Sequence, residues 1–288
     1  MTAAHEDGPA LAGDPVVAGL LARCTFPPPG APLVCAVSGG PDSLALLALA
    51  VAAGCVVTAV HVDHGLRPGS GDEAEVVAAA ARRFGAAFRA ERTVVADGPN
   101  LEERARVARR AAVGPDAATG HTMDDQAETV LVNLLRGAGL AGLVGMRPGP
   151  RHPLLSLRRS ETEALCAHLG LVPVRDPSNA DRRFVRNRIR AELLPLCADI
   201  AARDVVPVLA RQATVLAGDA DLLDDRVAVL DPTDAAALAA APPAAARRAV
   251  RGWLAAGHAH PPPLDAVDRV LGVARGERRA TEIPGGRR

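Results

Sequence analysis

Apolar and polar positions along this chain keep two different rhythms. Up to residue 136, unbroken apolar runs alternate with stretches of helical spacing. Leu33 to Val37 and Cys55 to His61 are apolar or β-branched with little alternation, as strands buried on both faces of a parallel sheet are. Ala87 to Val95 and Asp116 to Gly120 read as two further strands. The intervening stretches Leu44 to Ala53, Asp72 to Phe84, Asn100 to Val113 and Thr122 to Arg136 predict helices. Ahead of them, residues 1 to 13 form a small, polar tail, and Asp14 to Arg23 predicts a short helix capped by Asp14 and ended by Phe26-Pro27-Pro28-Pro29-Gly30. Strand alternating with helix implies an α/β fold around a parallel sheet, whose ligands gather at the carboxyl ends of the strands.

From Gly137 the rhythm is lost. Gly137, Gly139, Gly142, Gly145 and Gly149, with Pro148, Pro150 and Pro153, make a bridge in which Leu140, Leu143, Val144 and Met146 are too apolar for a disordered linker. An ordered, packed loop is predicted there. Glu161 to Leu169 predicts a helix, Val174 to Asn179 a turn-rich loop, and Arg182 to Leu194 another helix. Beyond Pro195 the pattern is helical throughout: Ile200 to Leu230, Thr233 to Ala241, Pro243 to Ala256 and Pro263 to Val273. The expected organisation is an α/β domain over residues 14–198 and a small all-α domain over 199–288.

Composition adjusts this picture in few places. With 288 residues, 49% apolar and 23% charged, the chain is long enough for one large core and a smaller one. All 33 basic residues are Arg and Tyr is absent, which reads as coding bias before function. A net charge of zero offers no general case for a nucleic-acid partner, so any such case is local. No apolar segment of membrane-spanning length and no signal-peptide pattern is present, so a cytoplasmic location away from membranes is expected. The five cysteines are scattered and form no C-x-x-C, which argues for buried thiols and against a zinc ribbon or an iron–sulfur cluster.

Three predicted strand ends carry polar clusters. The first is Ser38-Gly39-Gly40-Pro41-Asp42-Ser43. Two glycines allow a sharp turn, Pro41 suits the first helical position, and the helix N-terminus behind them suits a phosphate. Asp42, an acid where an anion would sit, makes sense beside Mg²⁺. The second cluster, His61, Asp63 and His64, is either a polar loop with one buried histidine or a metal site lacking a clear third ligand. The third runs from Gly120 and His121 to Glu128. Thr122 and Asp125 fit a capping box, Asp124 and Glu128 flank an apolar stripe, and Asp125 lies about 60° beyond Glu128. Further on, ten Arg stand against four acids between Arg147 and Arg190, with Arg183, Arg186, Asn187 and Arg190 on one helical face and Val185, Ile189 and Leu196 opposite. That face is either a solvated charge stripe or a phosphate-binding surface, the latter favoured by the Arg excess.

Taken together, SGGPDS, HVDHGLR, the Glu-x-x-Ala-Arg of Glu102 to Arg106, ATGHTMDDQAETVLVNLLRGAGLAGLVGM, DPSN at 176–179 and RNRIR at 186–190 resemble the tRNA(Ile)-lysidine synthetases of the PP-loop ATP pyrophosphatases. The resemblance implies a two-step reaction. ATP adenylates the C2 oxygen of the wobble cytidine of a tRNA(Ile) with a CAU anticodon, releasing pyrophosphate; the ε-amine of free lysine then displaces AMP. It implies ATP contacts at Ser38 to Ser43, His61, His64, Gly120 and His121, and Mg²⁺ at Asp42 and Asp124. Asp42, Arg106, Asp125 and Glu128 would carry the chemistry, with Asp125 and Glu128 binding lysine or taking its proton. Arg67, Arg183, Arg186, Asn187, Arg188 and Arg190 would grip tRNA. A homodimer stands as the alternative to a monomer. Positions 110–113 read Arg-Ala-Ala-Val where the family often has Arg-Tyr, and the chain stops at IPGGRR where many relatives run on. The rival readings are a thiolase-type PP-loop enzyme, for which paired cysteines are missing, and a tRNA-binding protein with a relic nucleotide site.

Overall fold

The structure, a computed structural model, describes residues 8–63, 70–93, 108, 111–174, 181–256 and 262–283. Two short helices, α1 (Gly8–Gly13) and α2 (Pro15–Leu21), lead into β1 (Pro32–Ala36), and Asp14 caps α2 by accepting from the N–H groups of Val16 and Val17. There follow α3 (Pro41–Ala52), β2 (Val56–Asp63), α4 (Ser70–Arg83), β3 (Ala87–Arg92) and β4 (Ala118–Thr119). All strands pair in parallel, in the order β3-β2-β1-β4, with Cys35 opposite both Ala59 and Ala118. β1 therefore has β2 on one side and β4 on the other. The crevice outside the carboxyl ends of β1 and β4 is the point where the winding reverses, and such folds take ligands there.

One face of β1 places Leu33, Cys35 and the following Val37 in the main core. Against it packs α3, buried at every position from Ser43 to Ala50, which is why its sequence is apolar all round. The other face is not sealed as expected: Val34, Ala36 and Val62 are half-buried against Val60, Val113 and Ala117. An apolar residue at every position conceals the alternation that the pleat imposes. The expected strand from Asp116 to Gly120 contracts to two residues because Pro115 and Asp116 form a turn. Most of the helix expected from Asn100, and Val94 and Val95, lie outside the described residues.

The glycine-rich bridge is ordered by α5 (Met123–Leu135). Gln126 donates to the carbonyls of Val144 and Met146 at 3.1 and 2.9 Å and accepts from the Met146 N–H at 2.8 Å. Gly145, at φ +63°, turns so close that a Cβ there would lie 2.7 Å from Gln126 Oε1. Asn133 holds the carbonyl of Gly142 at 2.7 Å, inside a single turn, α6 (Leu140–Leu143). The DDQAET helix and the GLAGLVGM run are thus one packed unit.

Downstream come α7 (Arg159–His168) and α8 (Val185–Arg188), then a π-helical turn, Ile189–Leu193, and α9 (Leu194–Ala201). Pro195 lacks the N–H that an α-helix would use here, and the wider turn before it absorbs the mismatch. The π turn also shifts the register. Ile189 is buried as expected, but Val185 and Leu196 are exposed.

The chain divides into two compact units, Met1–Thr214 and Val215–Arg288, the division falling inside α10 (Val206–Val227), beyond the boundary of 198 expected from sequence. Val205, Val206 and Leu209 join Ala127, Leu131, Ile189 and Leu194 in one apolar cluster, which keeps the start of α10 with the first unit. The second unit contains α11 (Ala235–Ala240), α12 (Pro243–Ala255) and α13 (Leu264–Ala274), closed around Leu238, Val250, Leu254, Val267 and Leu271. No helix among the described residues is long and apolar enough to cross a membrane.

Candidate active site

The turn after β1 is built by short-range bonds. Gly39 takes φ +87°, a conformation other residues avoid, and its carbonyl accepts from Val174 N–H at 2.9 Å. Ser43 folds back over the loop: its hydroxyl donates to the Gly40 carbonyl at 2.9 Å and accepts from the Ser38 N–H at 3.2 Å. Gly40 is the N-cap of α3 and has no side chain to close the helix end, which suits the N-terminus to an anion. β4 ends against this turn. A Cβ on Gly120 would lie 2.5 Å from the carbonyl oxygen of Asp42, so glycine is what lets the first and third clusters touch.

These parts wall a cleft of about 1030 Å³, lined among others by Ser38, Gly40, Asp42, His121, Asp125, Arg159 and Arg190. His61 also lines it, but Nδ1 donates to the Val37 carbonyl at 3.0 Å, and its buried Nε2 has no partner among the described residues. Thr119 Oγ1 bonds His121 Nδ1 at 2.6 Å and His152 Nδ1 at 2.9 Å, and the two rings meet edge to face at 5.2 Å. Cys166, on the cleft wall, is inert: its thiol donates to the Pro41 carbonyl, and burial pushes its pKa up to about 11.

At the cleft floor, Arg159 at the start of α7 bridges three carboxylates from two other helices. Nη2 donates to Asp125 Oδ1 at 2.8 Å, Nη1 to Glu128 Oε1 at 3.2 Å, and Nε to Asp42 Oδ2 at 3.4 Å. Burial works against the Arg159 charge, but Asp125, Glu128 and Asp42 outweigh it and push its pKa up. Asp42 also accepts from the Thr162 hydroxyl. For Asp42 burial wins over Thr162 and Arg159, and its pKa is raised. Asp125 goes the other way: burial raises it, but Arg159, His121 and the Thr122 N–H and hydroxyl, each 2.9 Å from Oδ2, hold it below the ordinary carboxylate range. The expected capping box is therefore present, with Asp125 serving cleft and helix end together.

Glu128 is 0% exposed and does not line the cleft. Arg190 donates to both its oxygens at 2.7 and 3.1 Å, and Arg186 Nε lies 3.7 Å away. Asp124 also turns away from the cleft, its oxygens taken by the Arg158 guanidinium at 3.1 Å and the Arg159 N–H at 2.8 Å. Of the residues expected to meet tRNA, Arg186 and Arg190 thus reach inward to Glu128. Arg183 and Arg188 lie on the surface, paired with Asp181 and Glu192, and Asn187 holds the Asp181 carbonyl at 2.9 Å. His64, Arg67, Arg106 and Asp176 to Asn179 lie outside the described residues.

Comparison with known proteins bears directly on this arrangement. Residues 20–197 match the family model of the PP-loop domain, and residues 234–286 that of the TilS substrate binding domain. A tRNA(Ile)-lysidine synthase of Nocardia farcinica is 44% identical over 270 residues, spanning 87% of this chain and 85% of that protein. The chain belongs to the tRNA(Ile)-lysidine synthase family. The lysidine synthase of Mycolicibacterium paratuberculosis is 46% identical over 240 residues, 78% of this chain and 74% of that one. Among solved structures, the U34-tRNA thiolase NcsA from Methanococcus maripaludis aligns with a TM-score of 0.55 at 18% identity, covering 70% of this chain and 77% of that one, a likeness of fold.

Within this lysidine synthase framework, the residues that sequence reasoning passed over are Arg158, Arg159 and Thr162. They were counted in the Arg excess or assigned to an ordinary helix start. The available signal was the leucine cluster Leu154, Leu155 and Leu157, all buried, just ahead of two consecutive arginines, the second of which lines the cleft.

Proposed function

We infer that this chain is an ATP-dependent ligase that joins lysine to C2 of the wobble cytidine of tRNA(Ile) with a CAU anticodon, through an adenylated tRNA. The observation that carries this reading is the meeting of the PP-loop and the Asp42, Asp125 and Arg159 cluster in one cleft, in a chain of the lysidine synthase family. The kinship also sets aside the thiolase and relic readings.

In the first step the C2 oxygen attacks the α-phosphorus, the α–β bridge breaks, and pyrophosphate leaves from the α3 N-terminus. Backbone N–H groups aimed at the leaving group favour that charge separation. Mg²⁺ fits the donor set through Asp42, a carboxylate on the cleft wall in the first turn of α3, since this ion usually combines one or two carboxylates with substrate phosphates and water. Bound there, it would supply neutralising charge for the pyrophosphate. Asp124, with both oxygens engaged by Arg158 and Arg159, is not assigned to the metal. In the second step the lysine ammonium passes a proton to Asp125, the freed ε-amine attacks C2, and the C2–O bond breaks as AMP departs. Asp125, facing the cleft with a lowered pKa, receives the ammonium and orients it, while Glu128 acts from behind by holding Arg159 and Arg190. The exposed Arg183 and Arg188 are assigned to tRNA backbone, which they would position without reading sequence.

The test is incubation of the protein with ATP, Mg²⁺, labelled lysine and tRNA(Ile) bearing CAU. Label should enter the RNA; label that stays free overturns the reading. Asp42→Ala should abolish pyrophosphate release, and near-normal release would remove Asp42 from its role.

A further inference from the structure

Arg159 occupies a position that the proposed reaction needs for something else. Asp125 has two oxygens. Oδ2 is filled by the N–H and hydroxyl of Thr122, and Oδ1 by Arg159 Nη2 at 2.8 Å, with Arg190 Nη2 3.9 Å from the same Oδ1. Glu128 is enclosed by Arg159, Arg190 and Arg186. Three carboxylates, Asp42, Asp125 and Glu128, thus face three guanidiniums, and the set is matched in charge. A lysine ammonium brought to Asp125 would meet Arg159 in its place and suffer like-charge repulsion in a partly buried setting, where screening is weak.

Arg159 holds Asp125 at 2.8 Å and Asp42 at 3.4 Å, so the phosphates must outcompete the shorter contact, and Asp42 stands in the first turn of the helix that would receive them. A short swing of a side chain that already lines the cleft would exchange carboxylate for phosphate oxygen, a strong partner for guanidinium.

Building on the lysidine-forming reading above, we propose that Arg159 is a positioning residue that fills the lysine-ammonium site on Asp125 until ATP is bound, when the phosphates draw it away and open that site. Lysine and nucleotide then bind with positive coupling, and each strengthens the other by the same factor. The enzyme would hold its amine nucleophile only when an activated phosphate is present.

The experiment is equilibrium binding of labelled lysine to the full chain, with and without Mg²⁺ and an ATP analogue non-hydrolysable between the α and β phosphates. Wild type should bind lysine on the order of tenfold more tightly with the analogue. Arg159→Gln should bind lysine equally in both states, at or near the tighter value, and Arg159→Lys, which restores a cation, should recover part of the coupling. A melting curve checks that each variant is folded. If Arg159→Gln is unfolded, Arg159→Lys decides, since its shorter cation must weaken the coupling. Wild-type affinity that ignores the analogue, or a folded variant with full coupling, overturns the proposal alone. Absence of lysine binding in every state overturns it together with the lysine reading, which separates the two failures.

Discussion

Arginine meets acid in both compact units, yet the two regions use the pair in opposite ways. In the first, Glu128 is wholly buried and shared by Arg159 and Arg190, with Arg186 nearby, while Arg159 reaches Asp42 and Asp125 as well. In the second, two of the described pairs are open to water, Arg247 with Asp268 at 49% and 41% exposure and Arg269 with Asp265 at 35% and 69%, and a third, Arg248 with Asp224, has its acid on the surface. Exposed pairs contribute little, because water and salt screen them. Buried ones are costly to assemble, and a well-packed apolar trio would hold α3, α5 and α7 together at least as well. What only the buried cluster can supply is charge of both signs beside the PP-loop. The second unit draws its cohesion instead from the apolar cluster around Leu238, Val250 and Leu271.

The widest gap between the regions should open at Glu128→Ala. It strands Arg159 and Arg190 with one carboxylate fewer in a buried site, and a loss of about 3–5 kcal/mol in urea unfolding is expected. A loss below about 1 kcal/mol would erase the contrast by placing the pair in the range of exposed ones. Gly120→Ala comes next. Its new methyl must push the Asp42 carbonyl, 2.5 Å away, and displace the PP-loop, so ATP–pyrophosphate exchange should fall on the order of 10²-fold. Exchange at the wild-type rate would show that the two clusters do not depend on their contact.

A smaller effect sharpens the electrostatics. Thr162→Val removes a hydroxyl that favours ionised Asp42, whose pKa burial already raises. Losing a donor to the charged form raises that pKa further, so the acid limb of the exchange profile should move to higher pH. A limb that stays in place would mean another group sets it. The smallest effect belongs to the second unit: Arg269→Ala should leave the thermal midpoint where it is, and a clear drop would show that its exposed pair is not the passive kind.

Much of the site was legible because its chemistry is local in the chain. The sharp turn at Gly39 and the Thr122–Asp125 cap join residues no more than a few positions apart, and each leaves a mark in residue type. The partners of the arginines between residues 147 and 190 were not legible, for the converse reason. A charge count over a window cannot see Asp42, Asp124, Asp125 and Glu128, which lie before it, and these acids engage Arg158, Arg159 and Arg190, with Arg186 close by. The apolar face drawn across Val185 and Leu196 failed similarly, since the π turn between them changes the register that periodicity assumes.

By itself the sequence determined the parallel α/β core, the phosphate turn and the family, because strand burial, glycine conformation and helix capping are properties of neighbouring residues. Only the tertiary structure decided what the arginines do. Arg159 lies 117 residues from Asp42, 34 from Asp125 and 31 from Glu128, and Arg190 lies 62 from Glu128. The strength of those pairings depends on burial and a few tenths of an ångström, quantities that exist once the sheet has brought its strand ends together.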